Sequence, residues 1–511
     1  MKKINRLLYS NKLFAFIMLL LQIAVFVAMF IWISDYSVAI TGFSTVLSAI
    51  LVIYEINRAE ESTFKMTWIT LISIIPIFGA LFYIYTRART ITRNIRDDYT
   101  RAQEINKKYL PRDEEVMKNL ALLDKRECSF AGYLEKYGGS PAFSNTAVQY
   151  YPIGERMYED MKKELLKAEK FIFMEFFIIN SADKMWHEVL EILRQKVKQG
   201  VEVRLMYDAM GCLTTLPVRY NETLERYGIK CRVFSPIVPL ISTHQNNRDH
   251  RKIIVIDGKT AFSGGINLAD EYINQKERFG HWKDTGIMLK GDAVAGYISM
   301  FLEMWNVNTE DIEDGGEYIN ASKGNPADAA GFVIPFGDTP LDDIYVGKRA
   351  YIHNLDNASE YTYIMTPYLV IDDEMFESMK YAAQRGVDVK IIMPHIPDKP
   401  YAFYLARTYY KELLDVGIEI YEYTPGFVHA KMSISDGRKA IVGTINHDYR
   451  SLYLHYECAA YMVDVPAVID IERDFKDTIA LSQKITYEDI KNFNPFTKLV
   501  GHIMRLIAPL I

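Results

Sequence analysis

Apolar side chains crowd the first 86 residues and thin out abruptly after them. Residues 13–33 are apolar except for Gln22, and a helix of that length rises about 31 Å, enough to cross a bilayer core. Residues 38–54 form a weaker stretch, diluted by Thr41, Gly42, Ser44, Thr45 and Ser48, and residues 66–85 form a third, interrupted by Pro76 and Gly79. The pattern predicts a membrane anchor of two to three hydrophobic helices over 1–86, then a charged connector over 87–125. Beyond it the periodicity alternates between helix-like segments and short apolar strands, which predicts α/β layers. The alternation also repeats. A helical stretch ends at Gly200 and leads into Val-Glu-Val-Arg-Leu-Met, as another ends at Gly386 and leads into Val-Asp-Val-Lys-Ile-Ile. Both read as helix, glycine cap and buried strand. Gly228 and Pro236 recur at the same spacing as Gly417 and Pro425. Two related halves, 126–330 and 331–490, follow. The tail, 491–511, puts Leu499, Val500, Ile503, Leu506, Ile507 and Leu510 on one face of an amphipathic helix, suited either to a membrane interface or to docking on the protein.

The repeat extends to the residues that carry chemistry. His250, Lys252, Asp257 and Gly264 recur as His429, Lys431, Asp436 and Gly443 with identical spacing, and each copy ends on an asparagine, Asn267 and Asn446. On a β-strand, alternate side chains share a face, so each His-x-Lys would aim an imidazole and an ammonium into one site. A neutral imidazole is a nucleophile or base, its protonated form an acid, and lysines offer positive charge to a phosphate. Two such half-sites facing each other make a phosphoryl-transfer centre. The apolar runs after each lysine suit strand interiors, with Asp257-Gly258 and Asp436-Gly437 turning the chain into the next strand.

This doubled motif resembles that of the phospholipase D superfamily over roughly residues 130–490. Gly-Gly-Ile-Asn-Leu-Ala-Asp-Glu-Tyr (264–272), Trp-Lys-Asp-Thr (282–285), Thr-Pro-Tyr (366–368) and Gly-Thr-Ile-Asn-His-Asp-Tyr-Arg-Ser (443–451) narrow the resemblance to the bacterial cardiolipin synthases. It implies a duplicated α/β fold with the active site between two phospholipase D-like halves, preceded by transmembrane helices. It also implies an activity, the condensation of two phosphatidylglycerol molecules into cardiolipin and glycerol through a phosphatidyl-histidine. By resemblance His250 is the nucleophile and His429 the acid and base. Lys252, Lys431, Asn267 and Asn446 hold the phosphate oxygens, and Asp284 and Glu457 are the carboxylates that orient the two histidines. The motif counts Asp257 and Asp436 among the catalytic residues, although their position suits organising a turn more than touching substrate. No cofactor and no metal is implied. Water or another alcohol in place of the second lipid would make the same site a phospholipase D or a different phosphatidyltransferase.

Composition changes the picture in three places. A net charge of -6 and a pI near 6.0 argue against nucleic acid as a partner, while the resemblance implies phosphatidylglycerol and other anionic membrane lipids. Cys128, Cys212, Cys231 and Cys458 form neither a zinc spacing nor a disulfide framework and fit a reduced compartment. Basic residues flank the apolar region on both sides: Lys2, Lys3, Arg6 and Lys12 before it, and Arg87, Arg89, Arg93, Arg96 and Arg101 after it. Both clusters favour the cytoplasm, which an even number of crossings satisfies and three full spans do not; the expectation is a multi-pass protein of the cell membrane with a cytoplasmic catalytic unit and the crossing count left open. Two further side chains stand out. Glu175 in Phe-Met-Glu-Phe-Phe and Tyr368 in Thr-Pro-Tyr lie on expected strands that repeat between the halves, where a charge in so apolar a run calls for a buried partner or a site-facing position. Finally, the polar loop His244-Gln-Asn-Asn-Arg-Asp before His250 has no equal before His429 and could border a substrate entrance.

Overall fold

The computed structural model describes residues 37–87, 92–236, 246–309, 311–324 and 327–510, together with Ala24, Val27 and Ala28. The expected first membrane segment, 13–33, lies outside the described residues except for those three. The stretch 237–245 of the polar loop also lies outside them.

Two mixed sheets carry the fold, and their strand orders match position by position. The first runs Thr146–Tyr151, Gly286–Gly291, Thr260–Gly264, Ile253–Ile256, Phe171–Phe176, Glu202–Asp208, Lys230–Phe234. The second runs Phe332–Asp338, His455–Val463, Lys439–Gly443, Met432–Ser435, Tyr361–Met365, Asp388–Pro394, Glu419–Tyr423, and adds Ser482–Lys484 at its edge. The pairings match in sense as well, the last three strands of the shared order being parallel and the others antiparallel. The duplication seen in the spacing is therefore a duplicated α/β unit. Gly200 and Gly386 occupy equivalent turns at φ +88° and +92°, left-handed values that a side chain would strain. Helix Val294–Trp305 is buried along its whole length, and Phe173, Phe301, Val428, Met432 and Tyr456 from both halves share one core.

The N-terminal region departs from the expected spans. The second stretch forms helix Ser37–Ile56, but the third divides into Ser62–Ile74 and Pro76–Arg87. Pro76 has no N–H to continue the hydrogen-bond ladder, and Gly79 allows the second helix to lie against the backbone of Leu71 and Ile72. Two helices of 13 and 12 residues reach only about 20 Å each. Among the described residues no helix is long and apolar enough to cross a membrane. These helices nevertheless expose Phe43, Val46, Ile50, Ile53, Met66 and Ile74. Phe64 ties them to the second half, its ring edge-on to Tyr449 and Tyr453. The tail forms helix Pro495–Ile507, which packs on helix Pro400–Ala406 while leaving Phe496, Leu499, Ile503 and Leu506 exposed.

Candidate active site

Neither His-x-Lys lies within a strand. The strands begin one residue after each lysine, at Ile253 and Met432, and the motif occupies the extended arm that leads in. Each arm pairs with the opposite half. Arg248–Asp249 runs parallel beside His455–Tyr456, and the His250 N–H donates to the Tyr456 carbonyl at 3.0 Å. Gly426–Val428 runs parallel beside His281–Lys283, and the His429 N–H donates to the Lys283 carbonyl at 2.7 Å. The residue after each of those partner strands' paired segments is a carboxylate, Glu457 and Asp284.

The carboxylates therefore serve the histidine of the other half. His250 Nδ1 lies 2.9 and 3.0 Å from the two Glu457 oxygens, and His429 Nδ1 lies 2.6 Å from Asp284 Oδ2. Both carboxylates are fully buried. An Nδ1–H held this way fixes the ring and leaves the lone pair on Nε2, the atom that can attack phosphorus or carry a proton. Neither half holds a complete histidine–carboxylate pair by itself.

The lysines fold back onto their own arms, Lys252 Nζ donating to the His250 carbonyl and Lys431 Nζ to the His429 carbonyl. Burial pushes Lys252 down to about 8 and Lys431 to about 7, and Lys252 adds its like charge against Lys431. Burial likewise lowers His429 to about 4, reinforced by Lys431 and opposed by Asp284. It drives His250 well below the usual imidazole range, against the pull of Glu457. Although burial favours the neutral acid, contact with His250 holds Glu457 below the usual carboxylate range. The resting pair is thus a carboxylate and a neutral imidazole. Buried cations poorly matched to their surroundings are what an incoming phosphodiester would satisfy.

The other predicted residues divide. Asp257 accepts the N–H groups of Glu169, Lys170 and Phe171 at 2.7–2.9 Å, and Asp436 those of Ser359, Glu360 and Tyr361 at 2.8–3.0 Å. Each anchors the start of the neighbouring strand at a φ of +53°, so the catalytic listing of these two aspartates gives way to a structural one. Asn267 accepts the Ile178 N–H on its Oδ1 and donates one amide hydrogen to the Tyr272 hydroxyl, which leaves the second amide hydrogen for a phosphate oxygen. Asn446 keeps a buried Oδ1 with no hydrogen-bond partner. Glu175 accepts from Arg251 at 2.7 Å in the buried interior, and the Tyr368 hydroxyl donates to Asp398 at 2.7 Å; both are supporting contacts.

Five further residues shape the site. Thr444 donates to Glu457 at the position where the first half has Gly265. A Cβ at Gly265 would meet Asp284 Oδ1 at 2.0 Å, so only glycine leaves that carboxylate its seat. Trp282 and Tyr272 wall the His429 ring, and His455 occupies the position of Trp282 beside His250, at 5.4 Å between ring centroids. His455 also approaches Glu457 Oε1 at 3.6 Å. His250, His455 and Glu457 bring ligand-type atoms within 4.8 Å of one another, a set that could hold a metal ion only in competition with the His250–Glu457 bond. The signal for Thr444 and His455 lay in the differences between the two copies rather than in their agreement.

Comparison with known proteins adds the family. The model described as cardiolipin synthase, PLD-like domain matches residues 161–305 and 351–479, which contain both motifs and both carboxylates. A protein of Streptococcus mutans is 50% identical over 90% of this chain and 99% of its own length. Cardiolipin synthase 2 of Bacillus cereus is 33% identical over 90% of this chain and 89% of its own. Among solved structures, a phosphatidylserine synthase of Haemophilus influenzae shares the fold at a TM-score of 0.55, with 14% identity over 71% of this chain and 93% of its own. Duplicated sheets, crossed histidine–carboxylate pairs and this match over both halves agree: the chain belongs to the cardiolipin synthase family of PLD-like proteins.

Proposed function

We propose that the chain is a phosphatidyltransferase that condenses two phosphatidylglycerol molecules into cardiolipin and glycerol. The observation that carries this reading is the crossed pairing, which brings two oriented imidazoles and two buried lysines into one cleft. In the first step His250 Nε2 attacks the phosphorus of the donor lipid. The P–O bond to the head-group glycerol breaks, and that oxygen takes a proton from Nε2 of His429, which enters this step as the imidazolium, having drawn that proton from solvent once the anionic phosphate of the donor is bound. In the second step His429 removes the proton from a head-group hydroxyl of the acceptor lipid. The resulting oxygen attacks phosphorus, the P–N bond breaks, and His250 returns to its neutral form. Lys252, Lys431, Asn267 and Asn446 hold the non-bridging oxygens, with Tyr272 buttressing the wall. Electrostatic stabilisation by such fixed groups is worth most in a buried site.

Attachment to a bilayer follows from the substrates and from the apolar side chains exposed on helices Ser37–Ile56, Ser62–Ile74 and Pro495–Ile507. The multi-pass anchor and cytoplasmic catalytic unit remain part of this proposal, carried by the apolar stretches and their flanking basic residues. The test uses purified full-length protein and phosphatidylglycerol labelled separately in its head group and acyl chains. Cardiolipin and free glycerol in equal amounts are expected. Phosphatidic acid as the sole lipid product would replace the reading with a hydrolase.

A further inference from the structure

The second step of the proposed reaction poses a requirement that the two lysines do not meet. The acceptor is itself an anionic phosphodiester, and its phosphate lies about 6 Å from the attacking hydroxyl, five covalent bonds away. Lys252 and Lys431 are engaged with the donor phosphate. A second anion therefore has to be held beside the site, within one head-group's reach of it, by other cations.

A cavity of about 50 Å³ lies there, lined by Tyr368, Lys399, Leu405, Asp448, Tyr449 and Arg450 among others. Its wall continues the catalytic segment: His447–Asp448 follows Asn446 directly and pairs in parallel with Leu369–Val370. At the rise of an extended chain, Asp448 is roughly 7 Å beyond Asn446. The Asp448 carboxylate is also near enough to support the charge on Lys431. The floor is Tyr368, whose hydroxyl is fixed by Asp398 and whose ring carries the Lys399 ammonium 4.5 Å above its centre. Asp448 accepts the Ser451 N–H at 2.8 Å, so its charge is turned toward backbone while Lys399 and Arg450 supply the positive side of the cavity.

The opposite side of the cavity leads to the apolar exterior. Tyr449 meets Phe64 of helix Ser62–Ile74, Ala508 closes the wall from the end of the tail, and the Thr67 hydroxyl donates to the Leu506 carbonyl at 3.3 Å. The cavity thus stands between the catalytic cleft and the two elements that expose Phe496, Leu499, Ile503 and Met66. An amphipathic lipid entering from that side would bring its phosphate to the cations and its terminal hydroxyl to His429.

We infer that the cavity bounded by Tyr368, Lys399 and Arg450 is the head-group site of the acceptor phospholipid, with Lys399 and Arg450 binding its phosphate. The inference rests on the reaction proposed above. Both acceptors in the following assay compete for one phosphatidyl-enzyme: phosphatidylglycerol, which carries a phosphate, and free labelled glycerol, which does not. The full-length protein in mixed micelles is given both, and the ratio of cardiolipin formed to glycerol exchanged into phosphatidylglycerol is measured. Lys399 is exposed, so Lys399→Glu leaves the core intact; Arg450→Met is the second variant. Loss of one charge-assisted contact lowers the ratio about tenfold or more, because only the anionic acceptor needs it. Glycerol exchange itself stays within about twofold of the wild-type rate, since the donor half is untouched. An unchanged ratio in both variants overturns the inference, whether or not total turnover falls. Wild-type protein that exchanges glycerol but forms no cardiolipin strikes the assigned reaction instead, and the acceptor site with it.

Discussion

Lys431→Met should make the protein more stable and nearly inactive, and the gain should depend on pH. Lys431 is fully buried, burial and then the like charge of Lys252 disfavour its ammonium, and it sits at about 7 rather than the 10.5 of a free lysine. A base whose affinity for protons drops on folding destabilises the fold wherever it is charged in both states. The cost is fully present below pH 7, shrinks as pH rises from 7 to 10.5, and is gone above that. Its full size is on the order of 5 kcal/mol, from 1.36 kcal/mol per tenfold change in proton affinity. Methionine keeps the volume and loses the bond to the His429 carbonyl, which returns about 1 kcal/mol. At roughly 2.1 cal/mol/K of unfolding entropy per residue over 511 residues, 1 kcal/mol corresponds to about 1 °C. Thermal unfolding in detergent should therefore place the variant roughly 4 °C above wild type at pH 6, with the difference disappearing by pH 10. A variant less stable than wild type at pH 6, or one whose advantage does not change with pH, would refute the reasoning.

Other outcomes follow from the same contacts. Glu457→Gln and Asp284→Asn each remove the acceptor that holds one imidazole, and each should lower turnover about 10² to 10⁴-fold with the unfolding temperature nearly unchanged; turnover above a tenth of wild type would mean that the crossed pairs do not orient the bases. Asp257→Ala strips the acceptor from three backbone N–H groups and should cost roughly 3 kcal/mol or more, while the molecules that remain folded keep their turnover; a stable but inactive variant would return Asp257 to the chemistry. Chelator should leave activity in detergent micelles intact, because lysine ammonium groups supply the charge at phosphorus; abolition with rescue by one specific metal would point to the His250, His455 and Glu457 set.

The duplicated fold was legible because its signals are local. Glycine caps, strand-length apolar runs and the spacing from histidine to asparagine recur in both halves, and equal local patterns fold into equal sheets. The site was legible in its residues but not in its pairing. Spacing places Asp284 and Glu457 downstream of their own motifs, and only the parallel arms at 248–249 and 426–428 hand each carboxylate to the opposite histidine. Such contacts join residues 145 to 207 positions apart and leave no periodic trace. The aspartates were legible as turn residues but not in their partners. They belong to the motif by spacing, yet the three N–H groups they satisfy are backbone, which carries no sequence signal. Over residues 62–87 apolar length alone would allow a third span, but the Pro76 that interrupts the run divides it into two helices, Ser62–Ile74 and Pro76–Arg87.

The most direct test of the account locates the covalent intermediate. His429→Ala, deprived of the acid and base, is mixed briefly with acyl-labelled phosphatidylglycerol, quenched without acid because phosphoramidates are acid-labile, digested and mapped. The account predicts label on the peptide carrying His250 and none in a His250→Ala control. Label on His429 in the His250→Ala protein would reverse the two roles. Absence of any adduct, with cardiolipin still formed by both variants, would contradict the histidine mechanism itself.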